Sequence, residues 1–484
     1  MEATTKSLFN ECSNFTLLSN HLFATFSSFL WLSTITLVTC IESFLLQKNY
    51  EPVFHFLFPC FVLLSFLLKH LFSKPSPVYL IDFSCLKPPN HCRVPFSTFL
   101  ENASLFECFD NESISFMEKV LHSSGLSEET FLPPSLLYIP PKTEHSESIK
   151  ELHMVLFPVM DDLLAKTKLS PFDIDILILN CSSFCPSPSL TSFIVNKYAM
   201  RSDIKSYNVS GMGCSASALS IDMAHNLLRV HKNSTAIVLS TEILSGGLYS
   251  GKEKSKLFLN CLFRMGSAAI LLSNKKEARK NAKYLVLRTV RTHRGFDDKA
   301  YFSLIREEDS NGKLGVTVKK DILPQVARET LGSNISILGS EMLPISEKFL
   351  YGVSLINKRF NLMKSEGVYV PNFKTVIQHF CLPCTWKSVI REVGKGLKLG
   401  DREIEAALMT LHRFGNQSSS SLWYELAYLE AKEKVQKGDN IWQLGFGIGL
   451  KSCSVVLKCI RPIVGESHNG PWCDCIHQYP ILDN

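Results

Sequence analysis

The side chain best placed for covalent chemistry is Cys214, in the stretch NVSGMGCSASALSIDMAHNLLRV (208–230). A β-prone run, Ile204–Val209, stops at Gly211 and Gly213. Beyond Cys214, the apolar residues Ala216, Leu219, Met223, Leu227 and Val230 recur at spacings of three and four, which predicts a helix. That order sets Cys214 on a glycine turn at the mouth of a helix. Unpaired N–H groups and the helix dipole there favour a thiolate. Small neighbours (Gly213, Ser215, Ala216) leave room for a thioester, so the chemistry would be acyl transfer to sulfur. The plainer alternative is a buried structural cysteine, the common fate of a lone thiol in an apolar pattern.

The elements that must position this sulfur follow from the rest of the pattern. Helical and strand-like runs alternate after residue 74. An amphipathic helix at 148–168, interrupted by Pro158, is followed by a buried strand at 174–180 and a helix at 190–200. Strands are predicted at 235–241, 267–273 and 284–292. Helices follow at 346–364, 386–397 and 401–411, then a helix at 420–437 and a strand at 440–446. Such alternation predicts an α/β body of mainly parallel sheets covered by helices. The charged stretch 295–315 reads as a surface loop, and 104–147 as irregular and partly helical. Ser418–Ser421 reads as a cap for the helix behind it.

Composition narrows the function classes. With 484 residues the chain can form two to three domain-sized cores. A net charge of +6 with no long basic run argues against a nucleic-acid groove. The 16 cysteines are scattered through the helical and strand patterns, as in a reducing compartment. No charge occurs from Cys12 to Ile41, and residues 21–41 are long enough to span a bilayer. A second apolar run, 52–68, follows a brief polar link, so residues 1–75 are expected to form a membrane hairpin. Lys6, Lys69 and Lys74 place both its ends on the cytosolic side.

Five stretches carry a family resemblance: NVSGMGCSA (208–216), NCLFRMGSAAILLSN (260–274), RTVRTHRGFDDKA (288–300), TLHRFGNQSSSSLWYELAYLEAK (410–432) and GPWCDCIHQYP (470–480). With them the chain resembles the plant 3-ketoacyl-CoA synthases, the condensing enzymes of very-long-chain fatty acid elongation, over nearly its whole length. The resemblance implies a thiolase-like fold of two stacked similar halves (layered α-β-α-β-α), here 76–285 carrying Cys214 and 286–484. It implies acyl-CoA and malonyl-CoA as substrates, no cofactor and no metal, and location in the endoplasmic reticulum membrane. Homo- or heterodimers with other synthases, and association with other elongase subunits, are implied as partners.

In the implied mechanism, Cys214 accepts a long acyl group and malonyl-CoA then loses carbon dioxide. The resulting carbanion attacks the acyl thioester and gives a 3-oxoacyl-CoA two carbons longer. The family holds the developing oxyanion with a histidine and an asparagine. Asn416 matches the asparagine, while His412, His379 and His293 match other family histidines expected to line or support the site. The backbone of GFGIG (445–449) is expected to approach the thioester. The decarboxylation histidine itself is missing. The family's His-Phe-Cys-Ile-His-Ala-Gly-Gly reads here His379-Phe-Cys-Leu-Pro383-Cys384-Thr385-Trp386. Losing one such donor costs about a hundred- to a thousand-fold in rate. The chain therefore reads either as a slow synthase or as an impaired homologue that modulates active synthases by dimerisation. A soluble polyketide-type condensing enzyme shares the chemistry but not the apolar N-terminus. Cys381–Cys384 and Cys473–His477 could suit zinc or redox exchange, but no thioredoxin-like pattern surrounds the first and the second follows the family.

Overall fold

The computed structural model describes residues 60–62, 64, 76–360 and 369–481. The predicted hairpin lies outside these residues, apart from four positions in its second run. No described helix is long and apolar enough to cross a membrane. Residues 76–484 form one compact unit.

The strands are β1 (Tyr79–Cys85), β2 (Ile176–Asn180), β3 (Lys205–Val209), β4 (Thr235–Thr241), β5 (Ser267–Ser273), β6 (Tyr284–His293), β7 (Leu304–Glu308), β8 (Leu314–Val318), β9 (His379–Cys381), β10 (Asn440–Gly447) and β11 (Lys451–Cys459). Nine of them make one sheet in the order β3-β2-β4-β5-β1-β6-β11-β10-β9. The helices that matter for the site are α1 (His145–Thr167), α2 (Ala216–Val230), α3 (Leu323–Met342), α4 (Asp401–Phe414) and α5 (Ser421–Ala431).

The sheet is mixed, which corrects the expectation of mainly parallel pairing. Only β2–β3, β2–β4 and β9–β10 run parallel. The pairs β4–β5, β5–β1, β1–β6, β6–β11 and β11–β10 are antiparallel. The reason is physical: β4 (TAIVLST) and β5 (SAAILLS) are buried along their whole length. A strand covered on both faces loses the apolar–polar alternation that marks one-sided antiparallel sheets. Two further corrections concern local order. The stretch read as a surface loop holds β7 and the start of β8, which pair as a hairpin. And α1 runs unbroken through Pro158, because Leu152, Val155, Leu156, Val159, Met160 and Leu163 are buried on the face packed against β1 and β5. That burial outweighs the hydrogen bond the proline forgoes.

Two features join the elements that flank the site. Lys283 is 2% exposed, with Nζ 2.9 Å from Asp82, 2.8 Å from Glu430 of α5 and 2.7 Å from Glu466. Trp472 of the closing motif packs edge-on against Phe414, Tyr428 and Tyr479 and donates from Nε1 to the Tyr424 carbonyl at 2.9 Å.

The carboxyl ends of parallel strands are where open α/β sheets bind ligands. Here β2 ends before Cys181–Ser183, β3 before the Cys214 turn and β4 before Glu242. The second parallel pair, β9–β10, ends at Cys381 and Gly447.

Candidate active site

Cys214 lies in a single 3₁₀ turn, Gly213–Ser215, that leads directly into α2. Gly213 has φ +58°, and a Cβ there would come 2.8 Å from the Ile448 nitrogen. A Cβ on Gly447 would collide with the Met212 carbonyl. Glycine at these two positions lets the GFGIG backbone lie against the cysteine turn, as expected. The Gly213 N–H donates to Ser182 Oγ at 2.8 Å and ties the turn to the end of β2.

Cys214 keeps partial exposure, but its thiol is not acidic. Burial pushes its pKa up to about 11, against the Ser418 hydrogen bond that lowers it; the Glu242 carboxylate adds to the rise. This corrects the expectation of a thiolate favoured by a helix dipole. Burial, and to a smaller degree the Glu242 carboxylate, outweigh the helix start.

Asn416 is brought to the same place by the end of α4. Gly415 stops that helix at φ +73°, where a Cβ would collide with Arg264. Arg264 is itself buried and donates from Nε to Thr130 Oγ1 at 2.9 Å and from Nη1 to the carbonyls of Cys261 and Phe263, each at 2.8 Å. Its backbone N–H donates to the Asn416 carbonyl at 2.8 Å, and Phe263 bridges Asn416 in parallel register. The NCLFRMG motif therefore fixes the backbone of Asn416. The side chain is 3% exposed, and its Oδ1 accepts from the Ser418 N–H at 2.8 Å. Among the described residues Nδ2 makes no hydrogen bond.

Sequence reasoning missed Ser418, Glu242 and Ser182. Ser418 was read as part of a helix cap, yet its Oγ lies 3.6 Å from Cys214 Sγ and 2.9 Å from Glu242 Oε2. It holds φ +56°, a conformation that disfavours any residue but glycine. Glu242 Oε1 accepts from the N–H groups of Ser182 at 3.1 Å and Ser183 at 2.6 Å. The available signal was four successive serines beginning two residues after Asn416, all buried in the structure. A helix cap needs one exposed hydroxyl, not four buried ones.

The three predicted histidines do not join Cys214. His379 opens β9 opposite Ile441, six residues from Gly447 and so about 20 Å along the sheet from the cysteine turn; its Nε2 pairs with Asp439 at 2.9 Å. His412, on α4, meets the Tyr479 hydroxyl through Nδ1 at 3.1 Å. His293 ends β6, exposed, with Nδ1 accepting from the Gly295 N–H at 3.0 Å. It stands opposite Lys451, whose Nζ lies 3.2 Å from Met212 Sδ, so it belongs to the rim.

The segment after β9 forms a wall of the site. Leu382 donates its N–H to Glu425 Oε2 at 2.8 Å, and Thr385 donates to the Pro383 carbonyl at 2.9 Å. Cys384 Sγ lies 3.7 Å from the Gly415 carbonyl, and Trp386 stacks on Phe258 at 4.7 Å. Burial first, then Glu425 and to a smaller degree Cys214, push the Cys384 thiol well above its ordinary value. This wall is thus within electrostatic reach of Cys214, and Pro383 offers it no donor. Cys381 is also buried and raised, the opposite of the acidic thiol that disulfide exchange requires.

Comparison with known proteins adds the following. A family described as FAE1/type III polyketide synthase-like protein matches residues 70–360, and one described as 3-oxoacyl-[acyl-carrier-protein] synthase III C terminal matches 374–459. Arabidopsis thaliana 3-ketoacyl-CoA synthase 5 is 48% identical over 437 residues, 90% of this chain and 88% of the relative. Synthase 6 of the same plant is 48% identical over 413 residues, 85% and 82% respectively. The fold is similar to that of a fungal type III polyketide synthase, ORAS (TM-score 0.61, 15% identity, 79% of this chain and 99% of that one). It is equally similar to CsyB complexed with CoA-SH (TM-score 0.60, 16% identity, 79% and 100%).

Proposed function

This chain belongs to the FAE1/type III polyketide synthase-like family, among the 3-ketoacyl-CoA synthases, and on that premise we propose how its site condenses an acyl-CoA with malonyl-CoA. Cys214 Sγ attacks the acyl-CoA carbonyl, CoA leaves, and the acyl group rests on sulfur. Malonyl-CoA then loses carbon dioxide, and Asn416 Nδ2 donates to the thioester oxygen as negative charge grows there. The carbanion attacks the acyl-cysteine carbonyl, frees Cys214 and leaves a 3-oxoacyl-CoA two carbons longer. The observation that carries this reading is the shared turn: Asn416 and Ser418 are joined by one hydrogen bond, and Ser418 touches the sulfur.

The experiment separates the two stages. Asn416→Ala is expected to lower formation of 3-oxoacyl product from labelled malonyl-CoA by about a hundred- to a thousand-fold, the value of one oxyanion donor. Release of CoA on acylation of Cys214 should stay within a few-fold of the parent. Loss of both stages together would show that Asn416 holds the turn rather than the oxyanion.

The apolar runs 21–41 and 52–68 support anchoring in the endoplasmic reticulum membrane with the body in the cytosol. Resistance of the full chain to carbonate extraction tests it, and release of the protein into the wash would contradict it. Pro383 favours a second reading, in which the chain binds active synthases and tunes them. In that case it alters the output of a co-expressed synthase even as Cys214→Ala.

A further inference from the structure

The Cys214 thiol, only partly exposed and raised by its surroundings to a pKa of about 11, is mostly protonated at neutral pH. Acylation at neutral pH therefore needs a base at the sulfur. None of the three predicted histidines bonds it, and the wall beside it offers Pro383. Among the described residues the side chain hydrogen-bonded to the sulfur is Ser418, with Glu242 behind it.

Resting on the condensing-enzyme reading, we propose that Cys214 passes its proton through the Ser418 hydroxyl to Glu242 as the sulfur attacks the acyl-CoA carbonyl. One hydroxyl carries one proton, so Ser418 can donate to only one of the two groups at a time. Ser418 Oγ stands in donating position to both Glu242 Oε2 at 2.9 Å and Cys214 Sγ at 3.6 Å; in the relay its hydrogen goes to the carboxylate and its lone pair takes the thiol proton. The Ser182 and Ser183 N–H groups donate to Glu242 Oε1 and leave Oε2 turned to Ser418. The Ser418 N–H is bound to Asn416 Oδ1, which sets its backbone in the φ +56° conformation that aims the hydroxyl between sulfur and carboxylate. A strained serine that bridges a nucleophile and a buried acid is placed as a relay.

The step balances. The S–H bond of Cys214 breaks, Ser418 receives that proton and releases its own, and an O–H bond forms at Glu242 Oε2. The new Cys214–carbonyl carbon bond forms as the carbonyl carbon–CoA sulfur bond breaks. The proton then returns from Glu242 to the departing CoA thiolate, which leaves Glu242 ionised for the next acylation. Ser418 touches the reacting atom; Glu242 acts through it.

The test uses the full-length protein and reads Cys214 alone among the cysteines, by peptide mass spectrometry of iodoacetamide alkylation across pH. Ser418→Gly is the principal variant, because glycine suits φ +56° and the fold should be retained; Glu242→Gln is the second. In the parent, alkylation of Cys214 is expected to be nearly independent of pH through neutrality, where the relay carries the proton. In both variants it should be about a hundred- to a thousand-fold slower near pH 7 and climb tenfold per pH unit toward about 11. Parent rates and an unchanged profile in folded Ser418→Gly would overturn the relay, leaving Ser418 a backbone element. Relay-dependent alkylation without acylation by a long acyl-CoA would sustain the relay and overturn the condensing-enzyme reading. Acylation at parent rates in both variants would do the reverse.

Discussion

Replacing Cys214 by alanine is expected to remove CoA release from long acyl-CoA and formation of 3-oxoacyl product together, each by at least about ten-thousandfold, the order of loss when a covalent nucleophile is deleted. The loss should be this large because no neighbouring thiol can substitute. Cys384 is buried, with its sulfur directed at the carbonyls of Ala407 and Gly415. Cys181, beyond β2, is buried against Glu242, and burial followed by that carboxylate pushes its thiol up. The check is stopped-flow detection of released CoA beside a labelled-malonate assay. Retention of either activity in folded Cys214→Ala would move the nucleophile elsewhere.

The second large effect is a gain. Pro383→His is expected to raise condensation by about a hundredfold or more, because it returns a donor where the malonyl oxyanion develops. The first stage should be nearly unchanged, since acylation draws on Cys214, Ser418 and Glu242 rather than on the wall. The parent should therefore show one rapid turnover of CoA release followed by slow product formation, and the variant should close that gap. The site tolerates the change on the backbone side, because the Pro383 carbonyl already accepts from Thr385 and no N–H is needed to maintain the turn. A folded variant with no gain would assign the slow step to the bulk of Cys384 and Trp386, the latter locked by its stack on Phe258.

What could be read from the sequence depended on whether burial left a pattern. The Cys214 unit was legible, since two glycines ending a strand and a 3–4 apolar spacing mark a turn and a helix. The limits of β4 and β5 were legible for the same reason, as their apolar runs stop at polar residues. Helix α3 was not. Its buried face reads Val326, Thr330, Asn334, Leu338, and two polar residues break the apolar stripe. Asn334 occupies the core because its Nδ2 donates to the carbonyls of Val290 and Ser452 at 3.1 and 3.0 Å, a pairing between distant segments that no local pattern reveals. Strand β11 was missed because it follows β10 after the short link Ile448–Leu450, where Gly449 (φ +68°) reverses the chain.

The candidate site divides in the same way. Cys214 and Asn416 were legible by resemblance, and the structure brings them together through Ser418. The three histidines were chosen by motif, but a motif carries no distance. His379 begins the strand whose far end faces the site, and His412 lies on the helix face that meets Tyr479. Glu242 was invisible for a similar reason: it follows a fully buried strand and gains its meaning only when a serine 176 residues later donates to it.

The central claim is that this sulfur carries the acyl group. The direct measurement is the mass of the Cys214 peptide after incubation with a long acyl-CoA and no malonyl-CoA. An increment of one acyl group less a proton, confined to Cys214 and removed by hydroxylamine or by added malonyl-CoA, is the predicted result. An unmodified Cys214 peptide, or an acyl group found on another residue, would contradict the account.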